Sequence, residues 1–488
     1  MLRQPGRKER DTGPVVIVMN YFQKRFTPSQ ADAVRFEHPG AKSFVDNETG
    51  EFRDSWRIFR IMAEFVEGYQ FLSSFKNEIT ILGSARLPAT SVYSKEAHAL
   101  GHLLGKGGYT TITGGGPGIM EAANRGAYES GGESLGLNIQ LPFEQRTNPY
   151  VKKSTAFSFF ITRKVMLTAP SQAFVCFPGG FGTLDEFFEI ADYIELGFMM
   201  RTPIILLGSA FWKPVLSFLE HGAFKQIHAL KPKDLSMCHM VDTAQAAFDI
   251  IKTTQDQGKE CMLAPSLFQC DVNVNWRIFR IMAELVEGFE FLTGLVEDVT
   301  ILGTGHIKQG SPYYKKARML GKKLAQRGFS VVTGGGQGIM EAASRGAFEG
   351  GGEPIGINTQ VNYKERINEY VKRSIAFNFP FTRKFILLAP SKAFVFFPGG
   401  FGTMHELFEV LTLMETGKME KVPVVLVGKA YWEPLVAFIR GMLCKKFKTI
   451  NASDSTLFTV VDDIDSVVKF IVRDRARHGR AHKKAVRS

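Results

Sequence analysis

The hexapeptide PGGFGT occurs twice, at residues 178–183 and 398–403, and three residues after its threonine each copy carries a glutamate, Glu186 or Glu406. An apolar run of buried-strand character precedes each copy, at 173–177 and 393–397. A glycine turn that leaves a strand and opens a helix offers free backbone amides and the positive end of the helix dipole, a combination that suits a phosphate. Gly179, Gly180 and Gly182 permit close approach of backbone to ligand, and Thr183 adds a hydroxyl donor. Gly399, Gly400, Gly402 and Thr403 repeat the arrangement. The glutamate has two readings. Thr183 and Glu186 form a T-x-x-E capping box, which only closes the helix start; a chemical role requires the carboxylate to reach the ligand as well.

Two further glycine stretches fall at predicted strand ends: Gly83-Ser84, with Arg86 close behind, and Gly114-Gly115-Gly116-x-Gly118. The second copy has Gly334, Gly335, Gly336 and Gly338. These glycines do not fit G-x-G-x-x-G, and no Walker lysine follows them, so neither a dinucleotide fingerprint nor a P-loop is supported. Two glycine loops facing one crevice would hold a phosphomonoester. Upstream of each hexapeptide lies a cationic pair, Arg163-Lys164 and Arg383-Lys384. The first sits within FFITRKVML, and such apolar neighbours favour a directed role over a solvated face, with Lys164 and Lys384 expected at the phosphate. Asp185 reads as a surface carboxylate.

These residues recur because the chain repeats itself. WRIFRIMAE at 56–64 returns letter for letter at 276–284, an offset of 220 that also pairs Trp212 with Trp432. The alignment of 56–251 onto 276–471 needs no gap, so a whole domain is duplicated rather than a short solenoid unit. The expected layout is an N-terminal extension (1–50), a first domain (51–255), a linker (256–275), a second domain (276–472) and a basic tail (473–488). Within each domain short apolar strands alternate with helical patterns. That order predicts an α/β fold, two tandem Rossmann-like doubly wound parallel sheets, with ligands beyond the carboxyl ends of the strands. Before the first strand, Ile58, Phe59, Met62, Phe65, Val66 and Tyr69 fall at helical spacing and are expected to pack into the core.

Composition describes an ordinary globular protein: 488 residues, 44% hydrophobic and 22% charged. No long uncharged apolar stretch suggests a membrane span, and the first residues run into no signal-type apolar core, so a cytoplasmic protein is expected. The five cysteines lack C-x-x-C spacing, which points to reduced structural thiols and no metal site. The net charge of +12 lies mainly at the ends: residues 472–488 hold seven Arg/Lys against one Asp, and residues 1–10 hold four against one Glu. A solvated, disordered tail is the plainer reading, and contact with RNA through it is the weaker alternative.

The combination of the TGGG turn, the Arg163-Lys164 pair and PGGFGTLDE resembles the Lonely Guy (LOG) family, often mislabelled lysine decarboxylases, whose signature is PGGxGTxxE. The segments LGLNIQLPFEQRTNPY (135–150) and FFITRKVM (159–166) are similar to its bacterial members at length. The resemblance implies hydrolysis of the N-glycosidic bond of nucleoside 5′-monophosphates to base and ribose 5-phosphate, with no metal or redox cofactor. It makes Arg163 and Glu186 catalytic, with Arg383 and Glu406 as their counterparts. A carboxylate can stabilise an oxocarbenium-like state while activating water, and an arginine fork can orient phosphate or substrate. The family commonly forms dimers with shared sites, so the tandem repeats could build that dimer within one chain, with or without further homo-oligomers. The second copy departs from the pattern at His306 (Arg86 in the first), Gln337 (Pro117), Asn362 (Pro142) and His405 (Asp185). The first is therefore expected to be the more competent. The alternative is a nucleotide-binding or sensing protein with reduced catalysis, against which retention of Glu186 and Glu406 speaks.

Overall fold

A computed structural model describes residues 50–141, 147–254, 274–295, 297–360 and 367–485. The expected N-terminal extension and linker therefore lie almost wholly outside the described residues, as do Pro142 and Asn362. Each repeat folds around a seven-stranded parallel sheet. In the first the strands are β1 (Glu78–Leu82), β2 (Thr110–Thr113), β3 (Glu133–Ile139), β4 (Lys153–Phe157), β5 (Ser171–Cys176), β6 (Ile204–Leu207) and β7 (Cys238–Val241). They lie in the order β4-β3-β2-β1-β5-β6-β7. The second repeat has β8 (Asp298–Leu302), β9 (Ser330–Thr333), β10 (Ile355–Thr359), β11 (Arg373–Phe377), β12 (Ser391–Phe396), β13 (Val424–Val427) and β14 (Thr459–Val461), in the matching order β11-β10-β9-β8-β12-β13-β14. The chain reverses its winding between β1 and β5 and between β8 and β12. An open parallel sheet leaves its ligand crevice at such a switch point, and the PGGFGT turns sit at this one.

β1 and β5 are buried along their whole length because helices cover both faces, which explains their continuous apolar runs. The two edge strands β4 and β7 were not expected. They are largely open to solvent and carry no apolar run that would mark them. The first helix, Gly50–Leu72, buries Ile58, Ile61, Phe65 and Leu72, whereas Phe59 and Val66 of the expected stripe are exposed. The basic tail also differs from expectation, for its backbone continues the helix Ile464–Ala485. Arg475 at its start ion-pairs with Glu297 at 3.2 Å and lies over the Phe329 ring. Among the described residues no helix is long and apolar enough to cross a membrane.

The repeats pack through equivalent surfaces. Helix Phe181–Leu196 crosses its counterpart Phe401–Glu415, and both bury nearly every side chain. Phe188 stacks on Phe408 with ring centroids 5.4 Å apart, and Phe181 and Phe401 flank the pair. A second contact brings Phe65 of one repeat to Phe381 of the other at 5.9 Å. One apolar core thus runs through both repeats, as an intrachain pseudo-dimer requires. Phe188→Ala should cost about 3–5 kcal/mol in denaturant unfolding, by lost burial and a residual cavity. The transition should stay single, because the residue belongs to both halves of the core.

Candidate active site

The site begins with a helix that has no cap of its own. Helix Phe160–Thr168 starts after Phe159, which supplies no side-chain acceptor. Instead Glu64, from the first helix, accepts hydrogen bonds from the backbone amides of Ser158 (2.7 Å) and Phe159 (3.3 Å) and from the Thr162 hydroxyl (2.5 Å). Glu284 does the same for Asn378, Phe379 and Thr382. A buried carboxylate at a helix N-terminus meets both the orphan amides and the dipole. It also fixes the rotation of the helix that carries Arg163. Sequence reasoning missed Glu64, although it closes the nonapeptide that the two repeats share without change.

Arg163 is held on two sides. Its Nε donates to the Leu137 carbonyl at 2.9 Å, and its Nη1 donates to Glu186 Oε1 at 3.3 Å. Arg383 donates to the Ile357 carbonyl at 3.0 Å and to Glu406 at 2.7 Å. The structure thus brings together residues distant in sequence that were assigned one site. Gly114 is needed here, since a Cβ on it would lie 2.4 Å from Arg163 Nη2. The remaining glycine turn is clamped by Asn148, whose side chain donates to the carbonyls of Gly115 (3.1 Å) and Gly116 (3.0 Å). Asn368 repeats this in the second copy. Neither asparagine was singled out from the sequence, because each acts from a loop far from the turn it holds.

The helix bearing Glu186 starts one turn earlier than T-x-x-E implies. Gly180 is its N-cap, with no side-chain cap bond, and Thr183 stands inside the first turn. The capping box is therefore not formed. Thr183 Oγ1 faces Gly179, where a Cβ would lie only 2.1 Å away, and Glu186 is free to meet Arg163. Thr403, Gly399 and Gly400 repeat the geometry. First-turn amides that no side chain caps among the described residues thus lie on the helix whose glutamate meets the arginine. Burial pushes the carboxyls of Glu186 and Glu406 above their ordinary range, against the opposing pull of Arg163 and Arg383.

Four residues point elsewhere than expected. Asp185 is not on the surface: it is 1% exposed, and its carboxylate accepts from Lys164 Nζ at 2.8 Å. Lys164 also lies 3.7 Å from Glu189 and 3.5 Å from Glu409 of the other repeat. Burial pulls its pKa down, but these three carboxylates outweigh that and hold it above the usual lysine range. Lys164 and Lys384 therefore face the contact between the repeats, not the phosphate site expected for them. Arg86 also crosses over, donating to Asn451 (2.9 Å) and Glu415 (3.2 Å) of the second repeat. Its counterpart His306 lies 3.2 Å from Thr304 Oγ1 instead. Glu195, the counterpart of Glu415, has its carboxyl pushed up to about 8 by burial near Asp192 and Asp234. Asp185, His405 and Glu409 place donor atoms within 4.8 Å of one another, but the Lys164 ammonium already lies against both carboxylates of this group.

The family described as "Possible lysine decarboxylase" matches residues 120–251 and again 340–471. The chain belongs to this family, the LOG family. Among curated relatives, a probable cytokinin riboside 5′-monophosphate phosphoribohydrolase of rice (Oryza sativa subsp. japonica) is 30% identical over 174 residues, 34% of this chain and 82% of the relative. The enzyme of that name from Rhodococcoides fascians is 25% identical over 151 residues, 30% of this chain and 75% of its own. Against another rice relative, 36% identical over 129 residues and 26% of this chain, the chain spans about half of the relative's length, 52%. Among solved structures, the molybdenum cofactor carrier protein of Chlamydomonas reinhardtii overlaps at 24% identity and a TM-score of 0.29, covering 37% of this chain and 99% of the carrier.

Lys164→Met should cost about 3–5 kcal/mol in denaturant unfolding, because it leaves Asp185, Glu189 and Glu409 buried without their cation. A lysine that only bound phosphate would give no such loss.

Proposed function

We propose that the LOG-family repeats hydrolyse the N-glycosidic bond of nucleoside 5′-monophosphates, AMP-like or cytokinin riboside monophosphates, releasing free base and ribose 5-phosphate. The observation that carries this reading is the Arg163–Glu186 contact beside the uncapped helix start at Gly180, repeated as Arg383–Glu406 beside Gly400. The 5′-phosphate rests on the first-turn amides and the Thr183 hydroxyl, which anchors the ribose with its anomeric carbon toward the carboxylate. Gly83, Ser84, Gly114, Gly115, Gly116 and Gly118 close the crevice from the neighbouring strand ends.

The C1′–N bond breaks with its electron pair passing to the base, which takes up a proton from solvent, to which Glu186 afterwards returns the one it accepts. Glu186 stabilises the positive charge on the ribose ring and then accepts a proton from the water that adds to C1′. Arg163 holds Glu186 ionised in its buried position and orients the substrate. This division of labour requires an ionised carboxylate, and burial raises its pKa. Names of relatives support the substrate class: several are called cytokinin riboside 5′-monophosphate phosphoribohydrolases.

Base release from a panel of nucleoside monophosphates, AMP first, tests the reading. Glu186→Gln and Glu406→Gln should each remove the turnover of their own repeat, and together lower the rate by about 10²–10⁴. The larger share should go with Glu186. Activity should be present at neutral pH and fall on acidification, with the acid limb above pH 4.5, the ordinary glutamate value. No base from any monophosphate, or a double variant as active as the parent, would sink the proposal.

A further inference from the structure

The buried charges between the two repeats are not symmetric, although the helices that carry them are equivalent. Around Lys164 stand Asp185 (2.8 Å) and Glu189 (3.7 Å) of its own repeat and Glu409 (3.5 Å) of the other. Lys384, its counterpart, lacks an own-repeat aspartate because position 405 is His. Its carboxylate comes from across the contact, Asp192 Oδ2 at 2.7 Å. The residue equivalent to Asp192 in the second repeat is Thr412. Two exchanges, Asp185 for His405 and Asp192 for Thr412, thus compensate each other in space.

The surroundings leave little room for water to repair a mismatch. Lys164, Lys384, Asp185, Glu189, Asp192, His405 and Thr412 are all 4% exposed or less. His405 Nδ1 meets the Lys384 ammonium, and its Nε2, without a hydrogen-bond partner among the described residues, faces Asp185 (3.6 Å), Glu409 (3.7 Å) and Glu189 (4.0 Å). Tyr193 closes the cluster, its hydroxyl donating to Glu189 at 3.0 Å.

The consequence appears on pairing each face with itself. Two first-repeat faces would bury six carboxylates, from Asp185, Glu189 and Asp192, against two lysines. Two second-repeat faces would bury two lysines and two histidines with only the two Glu409 carboxylates. The mixed pair buries four carboxylates with two lysines and one histidine, and gives each lysine a carboxylate within 2.8 Å. Buried charge without its partner is strongly destabilising, so the first-repeat pair is penalised by its four surplus carboxylates, and the second-repeat pair by lysines that meet Thr412 where the mixed pair offers Asp192.

We propose that these exchanges have made the two repeats' faces complementary to each other and not to themselves. The pairing surface of each repeat therefore accepts the other repeat of the same chain and rejects a like repeat of a second chain. A duplicated dimer-forming domain needs such a device, since otherwise every copy carries two open self-complementary faces.

The test uses the full chain and thermal unfolding, independently of any activity. His405→Asp/Thr412→Asp gives the second repeat the first repeat's pattern, and Asp185→His/Asp192→Thr does the reverse. Each pair should lower Tm by roughly 5 °C or more. The quadruple variant combining both pairs exchanges the patterns between repeats and should recover most of the loss, although it carries more substitutions. If a paired variant fails to fold, soluble expression recovered in the quadruple variant is the same result. Losses that add in the quadruple variant, or paired variants as stable as the parent, would overturn the proposal.

Discussion

The helix that begins at Gly180 works under two demands at once. Its first turn must leave amides free at the crevice, while the rest of its length must vanish into the contact with the helix beginning at Gly400. A helix buried on all sides normally excludes charge. This one carries Asp185, Glu189 and Asp192 inside, tolerated because Lys164, Lys384 and His405 meet them there. The rest of the structure depends on that compensation.

Adjacent residues explain how one cluster serves two purposes. Successive side chains on a helix point about 100° apart. Arg163 accordingly turns to Glu186 and the crevice, while Lys164 turns to Asp185 and the other repeat. Arg383 and Lys384 divide in the same way, toward Glu406 and Asp192. The paired cations seen in the sequence are therefore two neighbours with different tasks. The site pair and the pairing surface are rigidly linked through the same two turns of helix, with Glu64 or Glu284 setting the rotation of each.

Much of this was legible beforehand. The gapless repeat, the parallel sheets and the joining of Arg163 with Glu186 follow from strand runs, glycine turns and the family signature. Features that depend on the third dimension were not. Asp185 looked like a surface residue because its partner Lys164 lies on another helix and Glu409 in another repeat. The capping box failed because Gly180, with no side chain to give, takes the N-cap position ahead of Thr183. Edge strands β4 and β7 escaped notice because half-exposed strands need no apolar run. Asn148 and Glu64 act at long range on backbone groups, and no local pattern marks such roles.

The proposed function makes each PGGFGT turn a phosphate seat beside a catalytic carboxylate. A crystal structure of the full chain soaked with ribose 5-phosphate tests it most directly. The phosphate should lie within hydrogen-bonding distance of the first-turn amides of helix Phe181–Leu196, with the ribose ring against Glu186 and the same arrangement at helix Phe401–Glu415. Ribose 5-phosphate bound elsewhere, or both crevices empty at saturating concentration, would contradict it.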